Sequence, residues 1–380
     1  VNYKRKSPLQ IFYRIIMQIM SVLKNILSGS KSLGSLFLAF SLFSVFTSFR
    51  VSGAEPDTLF RSDEVIRMEI RADFSALQND RKGVPEYRKG ELVYYNENGD
   101  TVHLNVKLMV RGNFRRDPTI CSFPPLWVNF KKNEVGNTLF DNQDKLKLVT
   151  ACESDQDVIK EYTAYKLYNE VTDLSMKVRL AKILYFDTSD NKKLFEKYSF
   201  FLEDKDKVAE RNGLEAKDRF LTPFDLESES FKTLAVFQYL IGNKDWYVSS
   251  RKNLIIMQSD DFTKPPYAVP YDFDLSGLVD ADYSKPEGVP DYMLASKRIY
   301  KGICYTEDEF NNTFELFLDL KPRFESIISN QTLLSKSSRK EAIRYIDQFY
   351  KVIENQYLFN NEFCATCQTR EDYNLAELKK

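Results

Sequence analysis

Two stretches of this 380-residue chain hold side chains of the types and order that phosphoryl transfer requires. The first is Ile241-Gly-Asn-Lys-Asp245-Trp-Tyr-Val-Ser-Ser-Arg-Lys-Asn253-Leu-Ile-Ile-Met257: an apolar helix ends, a loop carries an Asp, and an Asn opens a strand-like run. About twenty residues later comes Val269-Pro-Tyr-Asp272-Phe-Asp274-Leu-Ser-Gly277. In such chemistry one carboxylate orients the attacking hydroxyl, and an Asn and an Asp share the Mg²⁺ that bridges the nucleotide phosphates. Mg²⁺ takes hard oxygen ligands and few from the protein, so Asn253 with Asp272 or Asp274 is a sufficient set. Trp246 pins the Asp245 loop, and Gly242-Asn243 is a helix stop that fixes where it begins.

Upstream groups complete the set. Lys147 lies on the run Leu146–Val149, just before a helical pattern that carries Glu161, and a strand Lys held by a helix Glu is a means of placing α- and β-phosphates. An ion pair between the two is expected, with Lys131, at the end of another strand, as the reserve cation. Arg111-Gly-Asn-Phe-Arg-Arg116 follows a strand and offers a phosphate-facing loop with Arg111 at its head, although it holds a single Gly. Each piece also has a plainer reading. Asp245 could cap a turn, Asp272 and Asp274 could be loop carboxylates or a calcium site, and Arg115-Arg116 could be a solvated turn. The order of strand Lys, helix Glu, loop Asp, Asn and strand-end Asp favours the chemical reading.

The elements that must position these groups follow from periodicity. Ile66, Met68, Ile70 and Phe74 alternate with polar residues, and Leu92–Tyr95 and Val102–Val110 flank the hairpin signal Asn98-Gly99. Leu126–Phe130 and Leu146–Val149 are further strands, Ile159 to Val171 recurs at helical spacing, and Val178–Phe186 with Tyr198–Leu202 reads as a strand pair. After a polar join at 203–225 the chain becomes helical: Phe231–Ile241, then helices opened by capping boxes at Thr306-Glu-Asp-Glu309 and Ser338-Arg-Lys-Glu341, with the short strands Asn253–Met257 and Tyr267–Pro270 between. The expected fold is α+β, a sheet-rich lobe over 55–202 followed by a helix-rich lobe over 203–380.

Composition narrows the function classes. The whole chain carries 54 basic side chains against 55 acidic. Residues 1–54 hold seven basic side chains and no acid, so the rest is more acidic, 47 against 55, a net charge of −8. That balance speaks against nucleic acid as a partner. Within 1–54, the apolar stretch Leu33–Phe49 follows Lys24 and Lys31 and is followed by Ser52-Gly53-Ala54, the pattern of a cleaved secretory signal. Met20 is a start that gives a signal of ordinary length, and 1–19 reads as an over-extended start. No permanent membrane span is expected after cleavage, and an exported location follows: periplasmic, cell-surface or extracellular. Export permits disulfides, and Cys121 with Cys152 is the expected pair. Cys364-Ala-Thr-Cys367 reads as a local disulfide or free thiols, since there is no second CxxC and His103 is the sole histidine. His103 lies in an alternating strand, so a plain strand histidine is expected there.

Over roughly Val65–Phe349 the chain resembles the spore-coat protein H (CotH) family of atypical protein kinases, in a secreted bacterial branch. The residues that carry this are Val110-Arg-Gly-Asn113, Leu146-Lys-Leu-Val-Thr150, the helix Glu161–Val171, Ile241-Gly-Asn-Lys-Asp-Trp246 and Val269-Pro-Tyr-Asp-Phe-Asp-Leu-Ser-Gly277. The resemblance implies a protein-kinase-like fold and an exported phosphotransferase that moves the ATP γ-phosphate to a protein Ser or Thr hydroxyl with Mg²⁺ or Mn²⁺. The protein substrate would be another exported or surface protein. Asp245 matches the catalytic-loop Asp, and Asn253 and Asp272 match the metal pair, with Asp274 the rival of Asp272. The step from Asp245 to Asn253 is longer than the roughly five residues of ordinary kinases, and the loop after Arg111-Gly-Asn lacks a small Ser-rich turn. The alternative is a non-catalytic envelope or surface protein of the same fold that binds a protein or glycan partner.

Overall fold

A computed structural model of the chain describes residues 57–284 and 297–377. The expected signal sequence in 1–54 lies outside the described residues. The N-terminal strands are β1 (Ile66–Ala72), β2 (Arg88–Tyr95), β3 (Thr101–Val110), β4 (Leu126–Phe130), β5 (Lys145–Thr150), β6 (Val178–Asp187) and β7 (Lys192–Leu202). They close into a barrel in the order β1-β2-β3-β4-β5-β7-β6. β1 bonds antiparallel to β2 on one edge and parallel to β6 on the other, with Ile66 opposite Ala181 and Ala72 opposite Asp187. Closure leaves no open sheet edge. Alternation sends Ile70, Leu92, Leu108, Val128, Leu148, Ile183 and Phe201 to the interior, where they are wholly buried.

The strands expected from periodicity are all present, but the first ends sooner. Phe74 belongs to a short helix, α1 (Phe74–Asn79), capped by Asp73, whose carboxylate accepts from the Ala76 N–H at 2.8 Å. In the β2–β3 hairpin, Asn96 Oδ1 accepts from the N–H groups of Asn98 and Asp100, and Gly99 takes a φ of 83°. His103 is a strand residue whose Nδ1 lies 2.8 Å from Glu91.

Between β5 and β6 runs α2 (Asp155–Val171), opened by Ser154, which accepts from the Gln156 N–H. It is buried on several faces because it is packed from two sides. Tyr162 and Tyr165 meet Phe200 on the outside of the barrel. The Tyr168 ring lies tilted against Phe237 of α4 (Ser228–Ile241), with centres 4.6 Å apart. A second core therefore extends from the outer faces of β5, β6 and β7 through α2 and α4 to the C-terminal helices, with Phe273, Phe310, Phe317 and Phe349 wholly buried in it. The 203–225 stretch is more ordered than a polar join: it holds α3 (Lys205–Arg211), capped by Asp204, and the short strand β8 (Glu215–Ala216).

β8 pairs with β9 (Leu254–Gln258), which pairs with β10 (Tyr267–Pro270). α5 (Glu307–Ser329) opens with the expected capping box, Thr306 and Glu309 bonding reciprocally. α6 (Lys336–Ile353) opens one turn before the expected box: Ser335 caps the Ser338 N–H at 3.0 Å, and Glu341 accepts instead from Ser337 Oγ. Among the described residues no helix is long and apolar enough to cross a membrane.

Cys121 and Cys152 form the expected disulfide, with Cα atoms 5.1 Å apart. The other pairing is a correction. Cys367 bonds to Cys304, not to Cys364, and Cys364 is free and exposed. The cause is a parallel bridge between Ile303 and Gln368, which lays the two backbones side by side and brings the Cα atoms of Cys304 and Cys367 to 4.9 Å.

Candidate active site

The register of β9 against β10 sets the site. Pro270 lies opposite Leu254, so the next pair outward is Asn253 and Tyr271, joined by the Tyr271 N–H to Asn253 carbonyl bond at 3.0 Å. Asp272 follows immediately. Asn253 (φ 55°) and Asp272 (φ 64°) both hold the left-handed backbone conformation that side-chain-bearing residues seldom adopt. For Asp272 the holding contact is visible: its N–H donates to the hydroxyl of Tyr165 at 2.8 Å, and that ring is wedged between Phe200 and Phe273.

Asp245 arrives from the other side. Gly242 ends α4 at φ 65°, and Asn243 Oδ1 accepts from the Asp245 N–H at 2.9 Å. Trp246 Nε1 donates to the Asn243 carbonyl at 3.2 Å, and Tyr247 and Lys252 exchange backbone bonds across the turn. That turn returns the chain to Asn253, whose amide nitrogen donates to the Asp245 carbonyl at 2.7 Å and to its carboxylate at 3.1 Å. Lys252 forms an ion pair with the same carboxylate. Residues 27 apart in sequence thus meet through one hairpin register and one side-chain amide.

Asp245, Asp272 and Asp274 line a cavity of about 90 Å³ with Arg111, Phe114 and Arg115. Asp274 is buried, and its carboxyl accepts from Tyr283 Oη at 3.1 Å. Burial, then the charge of Asp272, pushes its pKa up to about 7, against the pull of Arg115. Glu161, also buried, is held well above the usual carboxylate range by burial, Asp274 and Asp272, and its Oε1 has no hydrogen-bond partner. The buried cation beside these acids is Arg115, with Arg111 lining the same cavity. Arg115 donates to the Thr150 carbonyl and lies 5.3 Å from the centre of the Tyr283 ring. Burial alone would lower its pKa, but Tyr283, Asp274, Glu161 and Asp272 outweigh this and hold it above its ordinary value.

The expected Lys147–Glu161 ion pair is not formed. Glu161 faces Arg115, and Lys147 Nζ lies 4.3 Å from the centre of the Tyr271 ring. Burial and the neighbouring Arg111 push the Lys147 pKa down to about 8, opposed by Asp272. Arg111 packs over Trp127 with its guanidinium 5.5 Å from the ring centre. Lys131 is elsewhere, in a surface pair with Glu134 at 2.7 Å. The site therefore gathers Asp245, Asn253, Asp272, Asp274, Glu161, Arg111 and Lys147 and leaves out Lys131. The sequence reading missed Tyr165, Tyr283 and Lys252, and left Arg115 between a phosphate-facing loop and a solvated turn. Of the three missed, only Lys252, beside Asn253 and on the Asp245 loop, carried a local signal.

Beside this cavity is a larger one of about 440 Å³, lined by Leu254, Ile256, Tyr271, Lys205, Lys217 and Arg251. The consecutive residues Tyr271 and Asp272 line one cavity each.

The donors fit a hard divalent cation. The Asn253 amide nitrogen is turned to Asp245, which leaves its oxygen as an acceptor. Among the described residues no group of three His, Cys, Asp or Glu side chains could hold a metal ion. A cation here would rest on Asn253 and Asp272, with water or phosphate oxygens completing its shell.

Comparison with known proteins returns little. No family model and no curated protein matches the chain. Among solved structures, the Helicobacter pylori proinflammatory kinase CtkA aligns at 12% identity and a TM-score of 0.37, over 61% of this chain and 89% of that one. Overlap of that extent does not decide the fold, and the functional reading rests on the site's own geometry.

The raised carboxyls give a testable pH dependence. With a folded pKa above the unfolded one, Asp274 holds a proton that the unfolded chain has released. Its contribution is full at the acid end and is lost as pH rises from about 4 through about 7. In chelator-containing buffer the thermal midpoint of Asp274→Asn is expected to fall less over that range than that of the unsubstituted protein. Parallel curves for the two proteins would contradict this.

Proposed function

We propose that the protein is an exported, kinase-like phosphotransferase that moves the γ-phosphate of ATP to a Ser or Thr hydroxyl of another exported or surface protein. The observation that carries this reading is the convergence of Asp245, Asn253 and Asp272 at one end of the β9–β10 hairpin, beside Arg111 and Lys147. The base would lie in the 440 Å³ cleft on Leu254, Ile256 and Tyr271, with the phosphates towards Lys147 and Arg111. Asn253 and Asp272 would hold Mg²⁺ or Mn²⁺, which neutralises phosphate charge when bound. Asp245, fixed by Asn253 and by its own N–H bond to Asn243, orients the acceptor hydroxyl. Lys252 places a positive charge beside that hydroxyl. The two disulfides agree with export.

One observation favours the alternative, a non-catalytic surface protein of the same architecture. The cavity at the carboxylates, about 90 Å³, is far below the roughly 300 Å³ at which ligand pockets begin. Incubation of the purified protein with γ-labelled ATP and Mg²⁺ or Mn²⁺ decides between them. Label is expected on the protein itself or on a co-exported protein. Its absence with both metals would leave the binding reading.

A further inference from the structure

We propose that Lys301 is the positioning residue of the Asp245 loop, and that the Cys304–Cys367 disulfide anchors the segment that presents it. This rests on the reading that Asp245 orients the acceptor hydroxyl. Lys301 Nζ donates to the carbonyl of Lys244 at 2.7 Å and to that of Trp246 at 2.8 Å, the residues on either side of Asp245. It also stands 3.4 Å from the centre of the Tyr247 ring. One ammonium thus holds three loop residues, Lys244, Trp246 and Tyr247, around the carboxylate that must be fixed, and each contact is to a backbone group or a ring face, not to a competing acid. The charged side chains that face it are Asp245 and Lys252, both on the same loop. Burial pushes the Lys301 pKa down to about 8 against the attraction of Asp245.

The segment behind Lys301 is locked in place. Gly302 is packed so closely on α4 that a Cβ there would meet Ala235 Cβ at 2.9 Å. The Gly302 carbonyl accepts from the Gln368 N–H at 3.0 Å, the Cys304 N–H donates to the Gln368 carbonyl at 3.1 Å, and the disulfide closes the same junction. The C-terminal segment therefore reaches the site through three residues of chain, from Cys304 to Lys301.

The test pairs hydrogen exchange of the 243–253 loop with steady-state kinetics on Lys301→Met and Lys301→Arg. Lys301→Met is expected to speed exchange across the loop and lower kcat on the order of 10- to 100-fold, with the KM for ATP little changed, because misplacement by about an ångström costs that much. Lys301→Arg, which keeps a donor and a charge, is expected to recover most of both. Reduction of the disulfide in the unsubstituted protein is expected to raise loop exchange in the same peptides, and this arm stands even where Lys301→Met fails to fold. Unchanged loop exchange in Lys301→Met, or no rescue by Arg, overturns the proposal. Absence of phosphate transfer by the unsubstituted protein overturns the reading of Asp245 instead, and loop exchange then still decides whether Lys301 holds the loop.

Discussion

Asp245→Asn is expected to lower turnover on the order of 10³-fold while leaving metal-dependent binding of ATP nearly intact, and Asp272→Asn is expected to abolish that binding. The two carboxylates line the same cavity but differ in their attachments. Asp245 is tied to Asn253 and Lys252, within the loop that must present the acceptor hydroxyl. Its replacement by Asn keeps an oxygen for Asn253 and so keeps the loop, but removes the group that orients and accepts from the hydroxyl, a contribution of about 10²- to 10⁴-fold. Asp272 has its backbone fixed by Tyr165 and follows Tyr271, whose N–H is bonded to the Asn253 backbone carbonyl, and in the proposed reading its charge would act through the cation. Single-turnover rates and ATP titrations with and without metal separate the two effects. Equal losses of binding in both variants would contradict the division of roles.

The largest stability effect is expected at Arg115. Arg115→Met removes the buried cation that counters Glu161 and Asp274 and the donor to the Thr150 carbonyl, and loss of such a buried bond costs about 1–3 kcal/mol. Part of that loss is expected to return in the double variant with Glu161→Gln, which takes away a buried carboxyl that must hold a proton in the folded state and has an unpartnered oxygen. Urea unfolding of both single variants and the double variant measures the coupling. Additive losses would show that Arg115 and Glu161 do not act on each other. Lys131→Met serves as the contrast, because its exposed pair with Glu134 predicts little change.

The strands and their residues were legible because the signals were local. β4 and β10 fall on the runs read from apolar alternation, Leu126–Phe130 and Tyr267–Pro270. The same holds for the stop at Gly242 and for the capping box at Thr306. What failed to show depends on contacts distant in sequence. Closure of the barrel rests on β1 meeting β6 more than 110 residues away, and no periodicity announces which strands are neighbours. Arg115 reads as one of two arginines in a solvated turn until Thr150 and Glu161 are folded against it. The Lys147–Glu161 pair was inferred from order along the chain, and order does not say which cation the helix acid will face. At α6 three serines within four residues compete for the cap, and the earliest takes it because its hydroxyl reaches the Ser338 N–H. At the site itself, the types Asp, Asn and Asp were legible. Their meeting was not, because it depends on the β9–β10 register and on the Asn253 amide.

The most direct test of a nucleotide and metal site is a thermal-shift titration of the purified protein with ATP, with and without Mg²⁺ or Mn²⁺. A ligand that binds only the folded state raises the midpoint by about 2.7 kcal/mol of added stability at one hundred times its Kd. The account predicts a rise with ATP that requires the divalent cation and disappears in Asp272→Asn but not in Asp245→Asn. No rise with either metal, and midpoints for both variants that match the unsubstituted protein, would contradict it and leave a binding protein built on the same architecture.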